Sequence, residues 1–237
     1  MSAGATFVRA DLHVHTFPDN DPEGAPDLQA YVDTALAREV SVLGITDHNT
    51  IRRVREAMKA AKGKPLLVLP GVEISTHEGH LLALFGPANL NALEAFANPD
   101  KLKLVRVSDT EQRSSRSLLD LVDEIARVGG LAIPAHVDAA DGINEKIQPS
   151  ALADLLRHSG LAGLEFAKSE ALKEWFTDSD PNPHRRTAWK ARQAVDELRE
   201  RGLWRGVFKH RLHQCVSGST ESAPPSSGTR LTISTPR

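Results

Sequence analysis

Along this chain, short apolar runs alternate with stretches in which apolar residues recur every three or four positions. The runs have strand length and the stretches have helical period, an order that predicts parallel β/α units. The first run, Phe7 to Leu12, ends at His13. Asp27 is placed to cap a helix whose Leu28, Tyr31, Val32, Ala35 and Leu36 share one face. A second run, Ser41 to Ile45, leads into Thr46-Asp47-His48. Thr50 then caps a helix with Ile51, Val54, Met58 and Ala61 inward, stopped by Gly63 and followed by Pro65. After the run Leu66 to Leu69, the Pro70-Gly71 pair predicts a turn. Val72 to Ile74 and His80 to Phe85 are two further extended segments.

Ser117 caps Leu118 to Val128, Gly129-Gly130 ends that helix, and Leu131 to Ala135 is a strand finishing at His136. Ser150 caps a short helix through His158, closed by Gly160, and the strand Leu161 to Phe166 carries Glu165. Beyond a Pro-rich loop, Asp180 to Pro183, Thr187 to Arg201 reads as a helix ended by Gly202. Residues 203–208 supply a last strand, weakened by Arg205 and Gly206. The expected fold is α/β, with about seven strands in a β/α barrel. Residues 1–213 form its domain, and residues 214–237, mostly Ser, Thr, Pro and Gly without apolar period, form a disordered tail.

Composition narrows the chemistry. With 237 residues, 40% hydrophobic and 25% charged, the chain suits one large domain. A single cysteine, Cys215, excludes a disulfide framework and a thiolate-rich zinc site, so any metal is held by imidazole and carboxylate. No run approaches the roughly 20 apolar residues of a membrane span. The segment Met1 to Thr6 lacks the features of a secretory signal, which makes the cytoplasm the expected compartment. The net charge of −2 conceals an asymmetry: residues 1–183 hold 18 Lys/Arg against 27 Asp/Glu, and residues 184–213 hold 9 against 3. The first part suits cations and the second suits phosphate.

The polar residues of interest fall just after predicted strands: His13 and His15, Asp47 and His48, Glu73, His136 and Glu165. Strand ends meet on one face of a β/α barrel, where such barrels keep their active sites. His13 and His15 are two apart, so on an extended backbone both imidazoles emerge on the same side. Taken alone, an H-x-H pair is more often an ordinary surface or core pair, and Asp47-His48 is equally an N-capping turn. Glu73 lies inside an apolar stretch, where an unpaired carboxylate costs several kcal/mol. It either meets a cation or turns to water on an edge strand. His80 opens an apolar run and is the better ligand, whereas His77 reads as a solvated turn residue, and His158 and His184, in helix and loop, read as solvated. His136 ends a buried strand, either as a ligand or as a structural histidine.

Three segments in order, Asp11-Leu12-His13-Val14-His15-Thr16, Ile45-Thr46-Asp47-His48, and Gly71-Val72-Glu73-Ile74 with Gly79-His80-Leu81-Leu82, resemble the motifs of the PHP family, named for polymerase and histidinol phosphatase. Ile133-Pro134-Ala135-His136 resembles the next motif. The resemblance implies a distorted seven-stranded barrel, related to the TIM barrel; the weak run at residues 203–208 leaves its last strand either complete or incomplete. It also implies two or three divalent ions, manganese, zinc or iron, and hydrolysis of phosphate esters by a metal-activated water. His13 and His15 would hold one ion, Glu73 would bridge it to a second held by His80 and His136, and His48 with Asp19 would hold a third. Beyond the resemblance, Asp47 could orient a ligand imidazole, and Arg185, Arg186 and Lys190 either hold the substrate phosphate or, more commonly for such residues, line a solvated helix face.

The family's final Asp-x-His is absent: the region reads Gly206-Val207-Phe208-Lys209-His210-Arg211-Leu212-His213. His210 or His213 could replace it only against the repulsion of the neighbouring Lys and Arg. The abrupt loss of pattern after residue 203 suggests an altered or truncated end. The expected substrate is a phosphorylated small molecule, a nucleotide or a nucleic-acid end, with no membrane partner, and the chain could stand alone or belong to a longer protein or to an ATPase or polymerase system. The rival readings are a non-catalytic binding module and a hydrolase of carbon–nitrogen bonds.

Overall fold

A computed structural model describes residues 8–17, 25–108, 111–198 and 206–209. Strands β1 (Arg9–Val14), β2 (Val40–Ile45) and β3 (Leu67–Thr76) lie side by side and parallel. Helices α1 (Leu28–Ala37) and α2 (Val54–Ala60) make the two crossovers. Strand β4 (Gly79–Leu84) then folds back antiparallel on β3. A 3-10 turn (Pro87–Asn89), α3 (Leu90–Phe96) and α4 (Pro99–Leu102) lead into a small hairpin of β5 (Leu104–Arg106) and β6 (Gln112–Ser114). Helix α5 (Leu118–Arg127) returns the chain to β7 (Leu131–Pro134), antiparallel to β4. Short α6 (Ile143–Lys146) and α7 (Pro149–Arg157) precede β8 (Gly163–Phe166). After them come α8 (Ala171–Glu174), α9 (Pro183–Leu198) and β9 (Gly206–Lys209), which pairs parallel with β8.

The α/β class agrees with the sequence pattern, with a reversal at its centre: β4 runs against its neighbours. Its cause lies in β3, where Pro70-Gly71 makes no turn and instead sits inside a ten-residue strand. The first part of β3 pairs with β2 as far as Pro70, and the part from Gly71 onward pairs with β4. Proline has no N–H to donate, which costs nothing at the residue where the strand changes partner. The Pro70 carbonyl still accepts from the Phe85 N–H at 2.8 Å. Gly71 is needed for closeness, since a Cβ there would lie 2.8 Å from Leu84 Cδ2 and 2.9 Å from the Ala83 carbonyl oxygen. The reversal itself is made at His77-Glu78, followed by Gly79 at φ +127°, a conformation that favours glycine.

Several predicted caps are present and others are displaced. Asp27 accepts from the Gln29 N–H, and Ser117 accepts from the Asp120 N–H. Thr50 does not cap α2, which begins three residues past Ile51, and its hydroxyl accepts from the Arg52 N–H in the turn before it. Pro149 takes the first turn of α7, so Gln148 rather than Ser150 is the N-cap residue. Helix α9 starts at Pro183, four residues ahead of Thr187, because Asn182 accepts from the His184 N–H. The elements between residues 87 and 114 were not legible in the pattern, since each is too short to show a period.

Among the described residues the core has three parts. One packs β1, β2 and β3 against α1 and α2, and a larger one joins β3, β4 and β7 to α3, α5 and α7. The third gathers Leu82, Leu84, Ile133 and Ala135 with Leu12, Leu69 and Ala162. Leu12 belongs to the first strand and Ala162 to the approach to β8, and both pack against this cluster; β8 and β9 form a separate two-stranded sheet. A bridge between Ala132 and Leu161 connects β7 to the β8 segment, while no ladder joins β9 to β1 among the described residues.

The basic segment contributes to this packing. Arg185 is buried, bound through Nε and Nη2 to the Asp180 carboxylate at 2.7 and 2.8 Å and stacked 4.0 Å from the Trp175 ring centre. Arg192 is also buried, donating to the carbonyls of Leu156, His158 and Leu161. Among the described residues no helix is long and apolar enough to cross a membrane.

Candidate metal centre

Glu73 is the hub. It lies in β3, fully buried, with its backbone N–H donating to the Asp47 carbonyl and its own carbonyl accepting from the Asn49 N–H. Those bonds carry β2 past its formal end and set His48 beside Glu73. The β3–β4 hairpin pairs Glu73 with Leu82 and Ser75 with His80, so His80 is a diagonal neighbour of Glu73 on the same sheet face. His13 and His15 leave the end of β1 on one side, as their spacing predicts. His136 follows β7, at φ +30°, an unusual conformation for a bulky residue.

The two oxygens of Glu73 divide the imidazoles. Oε2 lies 2.8 Å from His13 Nε2, 2.7 Å from His15 Nε2 and 3.2 Å from His48 Nδ1. Oε1 lies 2.8 Å from His80 Nδ1 and 3.1 Å from His136 Nε2. His13 and His15 are deeply buried, His80 and His136 less so, and the His48 side chain is 33% exposed, so the centre opens on the side of His48.

A cation fits this arrangement. His13 Nε2 and His15 Nε2 are 3.0 Å apart while both approach the same carboxylate oxygen. Two N–H groups turned to that oxygen would repel each other, whereas donors bound to one ion at roughly 2.0–2.2 Å stand about 3 Å apart. Two further donor groups, His48 with Glu73 and His80, and His80 with His136 and Asp141, have their donor atoms within 4.8 Å of one another.

Without an ion, protons must do the work of the cation. Burial opposes charge on His13, but attraction to Glu73 and the hydrogen bonds to Glu165 and Glu73 outweigh it and raise the imidazole to about 10. Burial would likewise raise Glu73, yet His13, His136 and His15 hold its carboxyl well below the usual carboxylate range. Burial lowers His136, and its interactions with Glu73 reverse the shift and raise it. The His13 contribution stabilises the metal-free fold fully below its unfolded value and disappears as pH climbs through about 10. A metal needs the lone pair that this proton occupies, so uptake expels protons. Apparent Mn2+ affinity is therefore expected to rise by about tenfold per pH unit for each proton displaced between about pH 6 and about pH 8. Calorimetry in buffers of different ionisation enthalpy checks this, and a pH-independent affinity would contradict it.

The structure brings six predicted ligands together: His13, His15, His48, Glu73, His80 and His136. Asp19, like His210 and His213, lies outside the described residues, as does the expected tail. Asp47 is adjacent: its carboxylate accepts from the N–H and hydroxyl of Thr16 and from the Phe17 N–H, and it interacts with His15 through charge. Burial raises its carboxyl and those bonds work against the rise. The guanidinium of Arg185 is committed to Asp180, and Arg186 donates to the Asp180 carbonyl, so the structure places both in that clip. Two acids had no assigned role in the sequence. Glu165 touches His13 Nδ1 at 2.8 Å, and the half-exposed Asp141 stands 3.4 Å from His136 Nδ1. Glu165 was visible as a polar residue in an apolar strand; nothing marked Asp141, which reaches the site only because its loop folds back.

The chain resembles known proteins in sequence and in fold. The chain is 31% identical over 141 residues to an uncharacterized protein of Methanocaldococcus jannaschii, a match covering 54% of this chain and 67% of that one. It is 38% identical over 90 residues to the 5'-3' exoribonuclease Rnm of Escherichia coli, covering 35% of this chain and only 30% of the exoribonuclease. A solved structure of a candidate metal-dependent phosphoesterase from Bifidobacterium adolescentis superposes with a TM-score of 0.51 at 16% identity, over 87% of this chain and 88% of that one. The PHP domain family model matches residues 11–171, which contain all six clustered ligands, and the chain belongs to that family.

Proposed function

We propose that this chain is a divalent-metal-dependent phosphoesterase acting on a phosphorylated small molecule, a nucleotide or a nucleic-acid end. The observation that carries the reading is the sharing of five imidazoles between the two oxygens of one buried carboxylate. A carboxylate so placed can join two ion positions. Similarity to an exoribonuclease supports a phosphate-ester substrate. Bound ions would supply an activated water and neutralise charge developing on the phosphoryl oxygens.

The residues of the chain prepare the place. His13, His15 and His48 form one side of it and His80 with His136 the other, while Glu73 holds the two sides at a fixed separation. Asp47 fastens the turn after His15, which keeps the first pair from swinging away. The contact between His13 after β1 and Glu165 of β8 supports a distorted barrel with the centre at one rim.

Arg52 is the cation we assign to the substrate phosphate. It is exposed, stands four residues beyond His48, has no ion pair among the described residues, and lies over the Phe17 ring at 5.7 Å. Its neighbour Arg53 is occupied by the Thr16 and Pro26 carbonyls and by Glu56.

Turnover of p-nitrophenyl and bis-p-nitrophenyl phosphate is expected with Mn2+, lost on chelation and regained on adding the metal back. Arg52→Ala is expected to raise KM roughly tenfold or more with a smaller change in kcat, as loss of a charged hydrogen bond to a phosphate would. Absence of turnover with manganese, zinc and iron alike would reject the enzyme. A binding module without turnover is the alternative, favoured by the missing Asp-x-His; retained ions with no hydrolysis of any phosphoester would support it.

A further inference from the structure

Glu165 is a buried acid to which the proposed hydrolysis gives no task. It sits in β8, 2% exposed, and one oxygen does two things. Oε2 accepts from His13 Nδ1 at 2.8 Å and from the backbone N–H of His136 at 3.1 Å. The Glu165 carbonyl also accepts from the Val137 N–H at 2.9 Å. A single acidic residue thus grips a side chain from β1 and the main chain beyond β7.

Each grip has a chemical consequence. A neutral imidazole carries one N–H, and when Nδ1–H points to Glu165 the lone pair is left on Nε2. Nε2 is the nitrogen that faces Glu73 and His15. The second grip acts on a residue whose backbone is strained: His136 stands at φ +30°. Its loop is clamped on every side. The His136 carbonyl accepts from the Ala139 N–H, Gly142 packs so tightly that a Cβ would lie 2.5 Å from that carbonyl oxygen, and Asp138 accepts from the N–H groups of Ala167 and Lys168 just past β8. Asp141 gives His136 no comparable hold, being half exposed and 3.4 Å from its Nδ1.

We propose that Glu165 is the positioning residue of the centre, fixing the tautomer of His13 and the backbone of His136 through one oxygen and so aiming both imidazoles at Glu73. The proposal rests on the metal-centre reading above. Because the two attachments share an atom, disturbing either one disturbs ligands on both sides of Glu73. A residue that merely stapled β8 to β7 would affect folding alone.

The test uses the full chain, Glu165→Gln and Glu165→Asp in parallel. Free Mn2+ is followed by electron paramagnetic resonance, and long-range 15N–1H spectra of the Zn2+-loaded protein report which His13 nitrogen is protonated. Glu165→Gln is expected to keep its circular dichroism while binding Mn2+ about 10- to 100-fold more weakly. Glu165→Asp, too short to reach both donors, is expected to lose affinity as well. Affinity within about twofold of wild type, with His13 still protonated on Nδ1, would overturn the proposal and leave the metal centre standing. If Glu165→Gln does not fold, the wild-type spectrum decides: Nδ1–H on His13 supports the assignment, and a bare Nδ1 overturns it. Failure of the wild-type chain to bind any ion would sink the centre itself, and this proposal with it.

Discussion

Glu73→Gln is expected to lower turnover by about three orders of magnitude or more, because it removes the negative charge between the two groups of imidazoles. The amide keeps one acceptor oxygen but directs an NH2 group at either His13, His15 and His48 or at His80 and His136, depending on its flip. One side of the centre is then left facing donors. Metal analysis of the purified variant should show fewer ions per chain than wild type. The acid limb should change too. In the metal-free wild type the Glu73 carboxyl is held well below its ordinary value, so its stabilisation is present above the unfolded pKa and is lost as pH falls. The variant lacks that loss. Full metal content and wild-type turnover in Glu73→Gln would remove the basis of the phosphoesterase reading.

Asp180→Ala is expected to produce the largest loss of stability, about 3–5 kcal/mol, because it strands the buried Arg185 charge. The carboxylate accepts from Arg185 Nε and Nη2 and from the N–H groups of Phe176 and Asn182. Burial pushes this carboxyl up, but the Arg185 bonds and the two N–H groups outweigh it and hold the pKa down. The stabilisation is therefore present at neutral pH and above, and is lost as pH falls through the depressed value. Urea unfolding of Asp180→Ala, Arg185→Ala and the double variant should show a double loss well below the sum of the singles. Metal content of the folded variant should be unchanged. A stability within about 0.5 kcal/mol of wild type would show that the clip contributes little.

The sequence pattern located the site better than it located the sheet. His13 and His15 were legible because alternation on a strand has a fixed consequence, and Glu73 because a lone acid in an apolar run requires an explanation. The direction of β4 was not legible. An apolar run such as His80 to Phe85 looks the same whichever way it points, and Pro70-Gly71 carries a turn signal even where it marks a change of strand partner. The role of Arg185 was hidden for a similar reason: a basic helix reads as a phosphate site unless the acid five residues earlier is known to fold onto it. The link between Glu165 and His13 spans 152 residues, and no local signal reports a contact at that distance along the chain.

That separation also orders the maturation of the centre in time. His80 and Glu73 are seven residues apart across a tight hairpin and can meet within roughly 1–10 μs, as isolated hairpins do. His13 reaches Glu165 only when β1 and β8 come together, a step slowed by the entropy of closing the intervening chain. A nascent protein therefore offers incoming ions a half-built cradle long before the second wall arrives.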